Sequence, residues 1–261
     1  MFLTFLGTGG AFTDFRVNYH NNLLVDCGTS NVLIDCGGTA VQSVKELGIK
    51  PWEIDGVIVT HLHGDHIAGI EQLLWERFYT GPSGPGFQQT HIYSTQEILD
   101  GLRACVSPCV DEFTDKDGGT KLGGYDALVI EHAVDSARFK VGDLSFALRR
   151  TPHVEAEGVS KPSYGVEIHS NDAEVYYTSD TTFRGNIGEL FPVADIIFHD
   201  CTFSPLYPGT VHTHYEELLT LPDDVRARIV LMHHTAVPEE VFPIADGFMG
   251  AAERHQTFAV R

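Results

Sequence analysis

Short apolar runs alternate with glycine- and Asp/Asn-rich turns along most of the chain, a rhythm of strands rather than of long helices. Phe2 to Leu6 predicts a strand that runs into Gly7-Thr8-Gly9-Gly10. Asn22 to Asp26 and Asn31 to Asp35 predict a hairpin across Cys27-Gly28-Thr29-Ser30, ended by Gly37-Gly38. Ala40 to Leu47 has helical spacing and stops at Gly48. Val57 to Thr60 reads as a buried strand. Ile67 to Tyr79 then places Ile67, Ile70, Leu73, Leu74 and Phe78 on one helical face. The second half repeats this grammar. His91 to Ser94 predicts a strand, Gln96 to Val106 a helix, and the polar stretch Asp111 to Gly124 an exposed loop. Strands follow at Ala127 to Glu131, Leu144 to Arg150, Tyr164 to His169, Glu174 to Thr178, Ile196 to His199 and Ile229 to Met232, with a short helix over Thr213 to Leu221. No linker or low-complexity stretch divides residues 1–261, so a single α/β domain is expected, with two packed sheets covered by helices.

One strand end carries unusual chemistry. Val57-Ile58-Val59 leads into His61-Leu62-His63-Gly64-Asp65-His66, which packs three imidazoles and a carboxylate into six residues. Such donors suit a borderline cation such as zinc. His61 and His63 can point the same way from a strand end, because side chains there alternate with period two. Asp65 and His66 lie past the turn and can serve a second ion. Three further candidates stand at strand ends: His153, Asp180 after Val175 to Ser179, and His233 after Ile229 to Met232. Together they fit a dinuclear site bridged by Asp180, with His61, His63 and His153 on one ion and Asp65, His66 and His233 on the other.

Composition narrows the partners. The formal charge is −19, from 36 acidic and 17 basic residues, and Arg149-Arg150 is the only adjacent basic pair. Binding to a long nucleic acid needs basic contacts to phosphates, so long RNA or DNA is a poor substrate. A small anion remains compatible, since two divalent cations would reverse the local charge. No apolar run approaches the roughly 20 residues that span a bilayer, and Met1 to Gly7 lacks the basic start of a signal peptide. The five cysteines, Cys27, Cys36, Cys105, Cys109 and Cys201, have no framework spacing and predict reduced thiols and a cytoplasmic location. Cys105 and Cys109 read as small buried side chains at a helix end. The cluster Gly81-Pro82-Ser83-Gly84-Pro85-Gly86 reads as a surface turn or a pocket rim.

His61-x-His63-x-Asp65-His66, His153, Ser179-Asp180-Thr181, Leu231-Met232-His233 and Asp35 within Leu33-Ile34-Asp35-Cys36-Gly37 together resemble the metallo-β-lactamase superfamily, over residues 1 to about 235. The resemblance implies an αββα sandwich of two mixed sheets flanked by helices, with two divalent ions, Zn²⁺ favoured and Mn²⁺ compatible, at one edge. Asp35 would accept a ligand-His N–H and fix its tautomer. Phe5-Leu6-Gly7-Thr8-Gly9, Ala194 to Phe203 and Val211-His212-Thr213-His214-Tyr215-Glu216-Glu217-Leu218 resemble the ribonuclease Z and cyclic-nucleotide phosphodiesterase branch. Within it His212 matches the extra catalytic His better than His214 does, and Asp200 stands where ribonuclease Z carries Glu. Only 26 residues separate His153 from Asp180, too few for the tRNA-gripping arm of ribonuclease Z. The resemblance also implies a homodimer.

The expected reaction is hydrolysis of a small phosphodiester, most simply a cyclic nucleotide, by attack of a metal-bridging hydroxide, with Asp65, His212 and Asp200 as the catalytic candidates. His212, positioned by Asp200, would protonate the leaving alkoxide or stabilise phosphate charge. Lactone or thioester hydrolysis, RNA processing and a non-catalytic sensor are the competing readings; the Asp200/His212 pair separates the first of these from a phosphodiesterase. His214 and His234 are candidate pocket-lining, substrate-contacting residues. His20 is a weaker candidate for the pocket, His199 reads as a buried, hydrogen-bonded histidine, and His132 competes with His153 as a ligand.

Overall fold

The computed structural model describes residues 1–81, 88–115, 117–170, 173–206 and 209–260. Of the Gly81 to Gly86 cluster only Gly81 lies within them, so the turn-or-rim reading falls outside the described residues.

The alternation of apolar and turn residues yields fourteen principal strands in two sheets. They are β1 (Phe2–Gly7), β2 (Asn22–Asp26), β3 (Asn31–Ile34), β4 (Gly56–Ile58), β5 (Thr90–Ser94), β6 (Val129–Ala133), β7 (Phe139–Val141), β8 (Leu144–Arg150), β9 (Tyr164–His169), β10 (Glu174–Tyr177), β11 (Ile196–Asp200), β12 (Ile229–Met232), β13 (Gly250–Ala251) and β14 (Thr257–Ala259). The first seven-stranded sheet runs β14-β1-β2-β3-β4-β5-β6 and the second β7-β8-β9-β10-β11-β12-β13. In each, the first four strands pair antiparallel and the last four parallel. The two halves thus repeat one pattern, and the C-terminal β14 crosses back to complete the first sheet. The inner faces meet in a shared core. Phe5 of β1 packs edge-to-face on Phe198 of β11 with ring centroids 5.0 Å apart.

Helices α1 (Ala40–Glu46), α2 (Gly64–Ile67), α3 (Ile70–Thr80), α4 (Gln96–Val110), α5 (Gly124–Leu128), α6 (Ile187–Leu190), α7 (Tyr215–Leu218) and α8 (Asp223–Arg226) flank the sheets. The helix expected from Ile67 to Tyr79 is two, α2 and α3, divided at Ala68-Gly69. The Gly69 N–H donates to the Cys36 carbonyl at 2.8 Å. A side chain at Gly69 would collide with the Gly37 carbonyl, so the break is a backbone contact that only glycine permits.

Three expectations are corrected. Ala127 belongs to α5, not to a strand, because Gly123 turns the chain left-handed (φ 79°) into a short helix ahead of β6. The loop Asp111 to Gly124 contains a small hairpin, Phe113–Thr114 with Thr120–Lys121. Cys105 and Cys109 are exposed, not buried; the buried face of α4 is filled by Ile98, Leu99, Leu102, Val106 and Val110. Among the described residues no helix is long and apolar enough to cross a membrane.

Strands β1, β3, β4, β8, β10, β11 and β12 all end on the same rim. Ligand sites in α/β sheets gather outside such carboxyl ends, and every candidate ligand lies there, in the loops or on the short α2.

Candidate metal centre

The loop after β4 delivers His61 and His63, and α2 turns Asp65 and His66 inward. Two donor groups result. His61 Nε2 and His153 Nε2 lie 3.1 and 3.2 Å from His63 Nδ1, and both lie within 3.8 Å of Asp180 Oδ2. Asp65 Oδ2 lies 3.4 Å from His66 Nε2 and 3.3 Å from His233 Nε2. Asp180 Oδ1 is 3.3 Å from each of the same two imidazole nitrogens. One carboxylate therefore offers one oxygen to each group. Tetrahedral ligands at zinc-like bond lengths stand about 3.4 Å apart, so both groups have the spacing of an ion's coordination shell. His66 Nε2 and Asp180 Oδ1 are buried without a hydrogen-bond partner. Two buried acceptors without a donor are costly, and a divalent cation between them would remove that cost.

Second-layer hydrogen bonds set the tautomers. Asp35 Oδ2 accepts from His66 Nδ1 at 2.7 Å and from the Thr60 hydroxyl at 2.8 Å, while Oδ1 accepts from the Thr60 N–H at 2.8 Å. With its own proton committed to Asp35, Thr60 Oγ1 accepts from His61 Nδ1 (3.0 Å) and from the Ser179 hydroxyl (2.8 Å). His153 Nδ1 donates to the Val211 carbonyl at 2.7 Å. In the neutral rings of His66, His61 and His153 these bonds occupy the far nitrogen with the proton and turn the other toward the donor group. Asp35, Ser179 and His233 all have left-handed backbone (φ 64°, 54° and 63°), a conformation that costs free energy for residues other than glycine and clusters at functional sites.

Charge is unevenly distributed. Burial alone would raise Asp180, but His233 and His66 outweigh it and hold the carboxyl well below the usual range. Asp65 is also held low, where hydrogen bonds from His233 and His66 overcome burial. Burial depresses His61, His63 and His153. His66 and His233 instead rise well above the ordinary imidazole value, because Asp180 and its neighbours more than offset burial.

A third group adjoins these. Asp200 Oδ2 accepts from His212 Nδ1 and from the Thr181 N–H, both at 2.9 Å, and Oδ1 lies 3.4 Å from His233 Nδ1. Burial would raise Asp200, yet His212 and His233 hold its carboxyl at about 2. His212 stacks on His233 with centroids 4.8 Å apart and lines the open cleft.

Family comparison agrees with this architecture. The model of the "Anti-Pycsar protein Apyc1" family matches residues 1–258. The chain belongs to the anti-Pycsar Apyc1 family. An Apyc1 protein of Paenibacillus sp. (strain J14) is 32% identical over 268 residues, covering 99% of this chain and 98% of that one. Two solved structures share the fold. One is the metallo-β-lactamase fold protein YhfI from Bacillus subtilis, with TM-score 0.73, 18% identity and 98% of both chains covered. The other is described as a new diphosphatase from the PhnP family, with TM-score 0.74, 17% identity, and 100% of this chain and 98% of that chain covered. These structures give the αββα metallo-β-lactamase fold, and membership of the Apyc1 family makes the protein a metal-dependent hydrolase acting on cyclic nucleotides.

The remaining histidines sort by place. His132 lies away from the centre on β6, stacked on Tyr93 and 2.8 Å from His91. His214 ties its own loop together through Ser204 O and Thr210 Oγ1, at 2.8 and 2.9 Å. His234 lines a cavity beside His212 and His233. His199 is buried on β11, its Nδ1 2.7 Å from Asp200 O. His20 is buried against Gly37, Gly38 and Phe15. Sequence reasoning missed Thr60, Ser179 and Gly10. The first two flank predicted ligands directly, which was a usable signal. At Gly10 a side chain would come within 2.9 Å of the His233 ring, a non-local contact with no local signature.

Proposed function

We propose that the protein opens a small cyclic nucleotide at a two-metal centre. His61, His63 and His153 would hold one ion and Asp65, His66 and His233 the other, with the Asp180 carboxylate shared between the two donor groups. The shared carboxylate, one oxygen toward each donor group, carries this reading. Divalent ions bound there would supply Lewis-acid charge for phosphate oxygens and make water acidic enough to attack near neutral pH. Water adds to phosphorus, the ring P–O bond breaks, and the leaving alkoxide takes a proton from His212 Nε2. Asp200 orients that ring by accepting its Nδ1–H and favours the protonated form that donation needs. Asp35 and Thr60 keep His66 and His61 in their ligating tautomers. The product is a non-cyclic nucleoside monophosphate.

Zinc suits the His-rich donors best, with manganese compatible at the group richer in carboxylate. The whole chain acts as one domain, in the cytoplasm, as a homodimer. Five free cysteines fit a reducing compartment. RNA processing is not favoured: between His153 and Asp180 the described residues form only the hairpin Glu155–Ala156/Val159–Ser160 and strands β9 and β10.

Metal content and turnover of 3′,5′-cyclic nucleotides, with and without chelator, test the proposal. Two ions per chain and chelator-sensitive ring opening are expected. Full metal loading without ring opening would overturn it.

A further inference from the structure

The donor groups account for the phosphate but not for the rest of a nucleotide. Two cavities open over them and share Phe12, Val211 and His212. One, about 330 Å³, lies on His63, Asp65 and Asp180. The other, about 410 Å³, runs from His212 and His233 past Phe203 and His234. Both are of ligand-binding size. Among the described residues, no acidic or basic side chain other than histidine lines the second, so it suits a neutral planar group.

Its walls are built for such a group. The loop between β1 and β2 is clamped to residues 234–235: Asn18 Nδ2 donates to Thr8 Oγ1 at 2.8 Å and to Thr235 O at 3.0 Å, and the Thr13 and Thr235 hydroxyls lie 2.9 Å apart. A turn closed by Thr13 N–H to Gly10 O at 3.1 Å puts Ala11 and Phe12 at its tip. Phe12 is fully exposed (103%) on an otherwise anchored loop. Phe203 is half-buried against His234, with centroids 5.5 Å apart. His234 is itself buried, and neither ring nitrogen has a well-aligned hydrogen-bond partner; the Leu231 carbonyl is the backbone acceptor near it.

We infer that this second cavity holds the base of the cyclic nucleotide, with Phe12 as the stacking face that determines affinity for it. The inference rests on the cyclic-nucleotide reading above. It adds where the base sits and which side chain grips it. An exposed phenyl ring gains most when a flat π system covers it, and such stacking is tolerant of base identity.

The test compares a 3′,5′-cyclic nucleotide with abasic ribose 3′,5′-cyclic phosphate on metal-loaded protein. Phe12 has few contacts to lose, so Phe12→Ala should fold normally. It should raise KM for the nucleotide roughly 5- to 150-fold, the range of one base–aromatic stack, and leave kcat and the abasic substrate unchanged. Phe12→Trp should restore KM. Equal change for both substrates, or for neither, overturns the inference. An equal change together with a shift in oligomeric state would assign Phe12 to a subunit contact instead. Failure of the unsubstituted protein to open the nucleotide would sink the parent reading before any variant was compared.

Discussion

Replacing Asp35 by Asn tests whether the second-layer carboxylate governs metal affinity. Asp35 is fully buried and accepts from the Thr60 N–H, the Thr60 hydroxyl and His66 Nδ1. Asn tolerates the left-handed backbone at this position (φ 64°), so little backbone strain is added. An Asn oxygen kept on the Thr60 N–H turns the amide N–H₂ toward His66 Nδ1. Two donors then face each other. Either His66 Nδ1 stays unpaired, at about 1–3 kcal/mol, or its proton moves to Nε2, the nitrogen the ion needs. Loss of an outer-layer partner ordinarily weakens metal binding about 10- to 100-fold, which is about 1.4–2.8 kcal/mol. Two routes thus give the same magnitude. Competition against a chromogenic chelator, with metal stoichiometry by mass spectrometry, should show one ion per chain released more readily, from the His66 side. A melting curve controls for folding. Unchanged affinity for both ions would refute the role given to Asp35.

Other consequences are as concrete. His212→Ala should lower turnover about 10²- to 10⁴-fold, the usual worth of a positioned proton donor, with both ions retained; loss of metal instead would make His212 a ligand. Carboxylates around Asp180 raise His66 and His233 against the effect of burial, so the metal-free protein binds protons there that an ion must displace. Affinity should therefore fall as pH drops, and calorimetry in buffers of different ionisation enthalpy should detect proton release on binding; proton-neutral uptake would contradict this. Phe198 is fully buried between Phe5 and Phe258, 5.0 and 5.1 Å away. Phe198→Ala should cost about 3–5 kcal/mol and lower the melting temperature by on the order of 10 °C. A shift of a degree or two would mean that the sheets pack loosely there.

The centre was more legible than its frame. His61 to His66, His153, Asp180 and His233 each follow a buried strand, and a strand end is a local signal that survives without structure. The pairing of Asp200 with His212 was readable for another reason: both lie in segments that resemble the ribonuclease Z branch. What escaped was non-local or short. β13 and β14 hold two and three residues, too few to show alternation, and they exist because partner strands were waiting. The Ala68-Gly69 break depends on a carbonyl more than thirty positions away. The same holds for Gly10 against His233. Phe12 looked like one more apolar residue in a glycine-rich turn; only the anchored loop reveals that none of the described residues covers it.

The return of β14 to the first sheet brings residues 1 and 260 together. Met1 and Val260 exchange two backbone hydrogen bonds, at 2.9 and 3.0 Å. Order along the chain is therefore separable from order in space. A short bridge across this junction, with a new opening in the exposed segment 135–138 between β6 and β7, would make each seven-stranded sheet one uninterrupted stretch of polypeptide. Such a circular permutant should fold and bind two ions. It would also turn the molecule into two consecutive copies of one strand plan, with Asp180 just past the fourth strand of one copy and Asp35 just past the fourth strand of the other.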